Sequence, residues 1–110
     1  MTDTTRPKTI VFFAPALFPL GKIFSTPGAL KACSPVYLAH YLNRHAHGDW
    51  GNTCDEDKEA NNQALLDGSR VLSAYPIDPT KPSKGFGENC LWIITEADRS
   101  VTTFLLPDEY

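Results

Sequence analysis

His45, Arg70, Glu96 and Thr103 are the residue types that cleave a phosphodiester without a metal. A histidine and a carboxylate near one scissile bond can serve as its acid–base pair, while a guanidinium and a hydroxyl steady the charge on the phosphate. The four lie far apart along the chain, so the chemistry depends on a fold that gathers them.

Two local clusters surround these residues. The stretch "NRHAHGDWGN" places Arg44, His45, His47, Asp49 and Trp50 within seven residues. His45-x-His47-x-Asp49 has the imidazole and carboxylate donors that suit zinc or manganese. Histidines near a helix C-terminus also cap its carbonyls and favour its dipole. With only Cys54 nearby there is no second ligand pair, and we assign no metal and no cofactor.

The second cluster, "TEADRSVTT", collects Thr95, Glu96, Asp98, Arg99, Thr102 and Thr103 around one turn. Threonines paired across strands stabilise a sheet, and an Asp-Arg tip is an ordinary solvated turn. The same groups offer contacts to a partner, so Asp49, Trp50, Tyr75, Thr95, Asp98, Arg99 and Thr102 are candidate binding residues beside the catalytic four. Arg70 suits a phosphate, or a carboxylate such as Asp67 or Glu96. Ser73 has no GxSxG around it, which disfavours a serine hydrolase. The chain also lacks a P-loop, GxGxxG, HExxH and CxxC, so nucleotide, dinucleotide and zinc-protease readings lose their usual support.

The elements that must position these groups read as follows. "MTDTTRPK" is a polar leader and "TIVFF" a strand or extended arm. Lys22 to Ser25 can be extended. Thr26 and Ser34 are N-caps, each followed by a proline at the first helical position. Leu38, Tyr41, Leu42 and His45 then share one helical face. Gly48 and Gly51 end that helix, and the acidic run Asp55-Glu56-Asp57 opens another that stops at Gly68. "RVLSAYPI" is a strand and "DPTKPSKGFGEN" a loop.

A terminal hairpin follows, with Glu96 opposite Val101. Its period of two puts Leu91, Ile93, Thr95, Thr102, Phe104 and Leu106 on one face, and Trp92, Ile94, Glu96, Val101, Thr103 and Leu105 on the other. The expected fold is α+β: an N-terminal strand or arm, two helices, then an antiparallel meander of about three strands. Residues 1–18 form an N-terminal extension and 19–110 one domain.

At 110 residues and net charge −3, the chain is one domain without a broadly basic face for nucleic acid. Three cysteines with no CxxC pair imply reduced thiols and a cytoplasmic protein. Pro15 and Pro19 interrupt the apolar run from Ile10 to Leu20, so it reads neither as a signal peptide nor as a membrane span.

Four blocks carry a resemblance: "PLGKIFSTPGAL", "RHAHGDWG", "NNQALLDGSRVLSAY" and "WIITEADRSVTTFLLPDEY". From Pro19 onward the chain resembles a family of small uncharacterised bacterial proteins labelled plasmid-related, some with a restriction-subunit label. The extra N-terminal residues and a longer loop at Asp78 to Asn89 are departures. The resemblance implies a mobile-element accessory protein that binds another macromolecule, for instance an inhibitor of a restriction or CRISPR defence. In element order the chain is also similar to metal-free ribonucleases of the barnase and RelE kind, which implies RNA as substrate and His45, Arg70, Tyr75, Glu96 and Thr103 as the site. A third reading is a structural homodimer joined through the second sheet face.

Overall fold

The structure, a computed structural model, describes residues 15–110. The expected strand at "TIVFF" lies outside them. Elements run in the order β1 (Lys22–Ser25), α1 (Pro27–Ala32), α2 (Pro35–Ala46), α3 (Asp55–Asp67), β2 (Val71–Tyr75), β3 (Leu91–Thr95) and β4 (Val101–Leu105), followed by a 3-10 turn at Pro107–Glu109. The class is α+β, with three helices where two and a helical turn were expected.

Local chemistry sets the helix ends. The Thr26 and Ser34 hydroxyls accept from the amides of Ala29 at 3.2 Å and Tyr37 at 3.4 Å, each with a proline just inside the helix. Three acidic residues open α3, and Gly68 closes it in the left-handed conformation at φ 79°.

The sheet order is β1-β4-β3-β2. The meander β2-β3-β4 is antiparallel, with Thr95 opposite Thr102, as the hairpin register predicts, and Val71 opposite Thr95 on the other side. The fourth strand, β1, joins β4 in parallel, with Ile23 opposite Thr102. One face of the sheet packs on α1 and α2. Ala29, Cys33, Leu38 and Tyr41 meet Tyr75, Leu91, Ile93 and Phe104 there, and the Tyr41 and Tyr75 rings stack 4.6 Å apart. A second cluster joins Phe18, Trp50, Ala64 and Val71, so the core reaches back to a residue expected in the extension.

The outer edge of β2 is closed by side chain and loop. Asn61 on α3 donates to the Leu72 carbonyl at 2.6 Å and accepts its amide at 3.1 Å. Ala74 is held by the Trp50 carbonyl at 3.1 Å and the Asn52 amide at 2.7 Å. This close approach requires Gly51: at φ 71°, a Cβ there would lie 2.0 Å from the Ala74 oxygen. Every backbone group that β2 turns outward at these two residues therefore has a partner, which blocks strand addition on that side.

Candidate functional site: a sealed histidine–hydroxyl chain and an open sheet face

His45 sits on the apolar face of α2 and has no solvent exposure. Its ring lies across β2 and β3, with Nδ1 2.6 Å from the Ser73 hydroxyl and Nε2 2.8 Å from the Thr95 hydroxyl. Thr95 continues to Thr102 at 2.7 Å, and Thr102 donates to the Leu20 carbonyl at 2.6 Å.

The last bond fixes the direction of the others, because each hydroxyl has one proton to give. Thr102 spends its proton on Leu20, so Thr95 donates to Thr102. Thr95 must then accept from His45, which places the ring proton on Nε2. Nδ1 is left as an acceptor, and Ser73 donates to it. Phe18 and Trp50 close over the ring edge-on, with centroids 5.3 and 6.0 Å away. Burial, with a smaller contribution from the Arg99 cation, pushes the His45 pKa from 6.5 down to about 3.

A Ser–His pair at 2.6 Å has the spacing of a nucleophile and its base. Ser73 is fully buried, however, and no substrate atom can approach it. The chain of hydroxyls satisfies buried polar groups and ties Leu20 to α2 and to three strands.

The structure does not gather the four residues proposed for catalysis. His45 lies beneath the helix-covered face, whereas Thr103 belongs to the opposite face, as the strand parity requires. Arg70 is exposed, donates to the Tyr110 hydroxyl and lies 5.4 Å from the centre of its ring. Glu96 is exposed at the β3–β4 turn.

Most of the proposed binding residues are likewise internal. Trp50, Tyr75, Thr95 and Thr102 are buried because their positions face the helices. Trp50 donates from Nε1 to Asn62 at 2.9 Å, and Tyr75 donates to the Asp49 carbonyl at 2.6 Å. The Asp49 carboxylate pairs with Arg44 at 2.7 and 3.1 Å, and these bonds hold its pKa below the usual range. Asp98 is occupied by the amide and hydroxyl of Ser100. Arg99 is half-buried and donates to the carbonyls of Ser69 at 2.6 Å, Ala64 at 3.1 Å and Glu96 at 3.3 Å. It pins the end of α3 to the turn, a staple rather than a free contact. His47 Nδ1 meets the Asn43 carbonyl at 2.7 Å, so the His-x-His-x-Asp donors face three different partners.

The second face of the sheet, foreseen by parity, carries residues that were not singled out as a site: Phe24, Leu72, Trp92 and Tyr110. Leu72, Trp92, Val101 and Thr103 are half-buried there, while Phe24 is 53% and Tyr110 70% exposed. Tyr110 leans on Trp92 with ring centroids 5.8 Å apart, and Trp92 Nε1 donates to the Gly85 carbonyl at 2.8 Å. The loop 78–89 is knitted by Asn89, whose amide donates to the carbonyls of Asp78, Lys81 and Pro82 and accepts from the Asp78 amide. A groove of about 510 Å³ opens along it, between Lys81, Lys84 and Phe86. The strand parity already implied the second face, but the contribution of Tyr110 depends on a chain reversal that no local pattern encodes.

Fold and site together define an α+β domain whose histidine is internal and whose aromatic side chains emerge on the sheet face away from α1 and α2. Comparison with protein-family models, with curated proteins and with solved structures found no match. Among the described residues, no helix is long and apolar enough to cross a membrane.

Proposed function

We propose that this protein is a binding module that recognises another protein through the sheet face opposite α1 and α2. The observation that supports this most is the chemistry of that face: Tyr110 and Phe24 are exposed, Trp92 meets the Tyr110 ring edge-on, and Arg70 donates to the Tyr110 hydroxyl. Tyrosine, tryptophan and arginine are the residues that most often anchor protein interfaces. A net charge of −3 favours a protein partner over a nucleic acid. The resemblance to plasmid-related proteins supports an accessory role, with the partner sought among host-defence proteins. The ribonuclease reading draws no support from the geometry, because its histidine is sealed and its threonine lies on the other face.

The test is affinity capture with the full chain from cells carrying it, followed by binding measurements on the protein recovered. Tyr110→Ala and Arg70→Ala should each weaken binding about tenfold or more, the usual scale for an anchor residue, without lowering the melting temperature. Equal binding by these variants and the parent chain contradicts the reading.

A further inference from the structure

The two edges of the sheet are built differently. The β2 edge is capped by Asn61, Trp50 and Asn52, whereas among the described residues no strand lies outside β1. Lys22 donates its amide to the carbonyl of Ser100, just before β4, and Thr26 to that of Phe104 in β4, each at 2.9 Å. The even spacing of a parallel ladder assigns Phe24 to the same side. Ile23 and Ser25 therefore turn their amides and carbonyls outward, along an edge whose Ile23 and Phe24 side chains are 43% and 53% exposed.

We infer that this edge pairs with β1 of a second copy of the chain, antiparallel about a two-fold axis, to form one continuous eight-stranded sheet. The outward groups select the register. Ile23 opposite Ser25 of the second copy, and the reverse, gives four backbone hydrogen bonds and sets the two Phe24 residues against each other on the axis. A shift one way places Lys22 against Lys22. A shift the other way places Pro27, which has no amide proton, in the ladder. An intermediate register needs Gly21, whose φ of 65° takes it out of the strand.

Charge complementarity favours the same register. Lys22 falls opposite Thr26 of the second copy, and Thr26 donates to the Glu109 carboxylate at 2.6 Å. Glu109 is exposed, and its hydrogen bond from Thr26, with one from the Leu106 amide, keeps its pKa below the usual range. Lys22, Phe24 and Thr26 share one face of β1 by parity, so the ammonium of one copy meets the carboxylate of the other, twice by symmetry. This inference shares Phe24 with the sheet face assigned to a partner above, but the Arg70, Trp92 and Tyr110 group of that face stands apart from the β1 edge, so the two are tested by different substitutions.

Sedimentation velocity on the full chain is expected to give a mass twice that of one chain, and a monomer up to about 100 μM, well above the micromolar range of a typical weak pair, overturns the inference. Ile23→Pro removes only an outward amide, so it should yield a monomer with the β1–β4 ladder intact. Lys22→Glu should weaken the dimer about tenfold, with Glu109→Lys restoring it in the double variant. A dimer indifferent to both single changes overturns the register and the edge together. Should Ile23→Pro fail to fold, Phe24→Cys in a Cys54→Ser background supplies a second readout. An intermolecular disulfide on oxidation supports the pairing, and its absence in a sample that sediments as a dimer contradicts it.

Discussion

At the scale of the residue, His45 centres the buried polar chain, with Ser73 on one ring nitrogen and Thr95 on the other. Periodicity put His45 in line with Leu38 and Tyr41, an apolar face, and parity put Thr95 and Thr102 on the same side of the hairpin. The first fact already implied burial of His45, and the second kept Thr103 off whichever face carries Thr95 and Thr102. What no local pattern carries is that Ser73 and Leu20 complete the chain, since these contacts span 28 and 82 residues of sequence.

Two predictions belong to this scale. His45→Ala leaves a cavity and a broken run of buried hydroxyls, and should cost about 3–5 kcal/mol in chemical denaturation. The pH dependence follows from the lowered pKa. Between pH 6.5 and about 3 the unfolded chain binds a proton that the folded chain does not, so stability is full above 6.5 and falls with acidification. Each pH unit in that window removes roughly 1.4 kcal/mol. The upper part of the window, above the carboxylate range, isolates the histidine. Nitrogen NMR of the folded protein should there report a neutral ring with its proton on Nε2. A His45 resonance that titrates near 6.5 would show that the ring is not sealed.

At the scale of the element, the caps were legible because they are local: Thr26-Pro27, Ser34-Pro35, the acidic start of α3 and Gly68 each act within a few residues. The parallel strand β1 was not legible, because nothing in "KIFS" specifies a partner 79 positions onward. The Asn61 cap was hidden for the same reason. An asparagine in mid-helix looks like a surface residue until β2 is beside it. Asn61→Leu strips partners from the Leu72 amide and carbonyl, and should cost about 1–3 kcal/mol and speed hydrogen exchange at Leu72. Unchanged protection there would mean that α3 does not guard the edge. Arg99→Glu should lower the melting temperature by several degrees, through loss of the staple between α3 and the turn, and this structural loss would precede any effect on a partner.

At the scale of the molecule, the helices seal one side of the sheet, while the other is partly covered, with Ala74, Ile94 and Leu105 buried and Phe24 and Tyr110 exposed. The sequence shows both faces of the hairpin to be apolar, but not which of them α1 and α2 cover. The most direct test of the binding account is photo-crosslinking in cells that carry the protein, with a benzoyl-phenylalanine at position 110. Controls carry it at positions 36 and 66, where Val36 and Leu66 are exposed on the helices. The account predicts a discrete adduct with a second protein from position 110 and none from the helix positions. Adducts from the helix positions alone, or an RNA adduct at position 110, would contradict it.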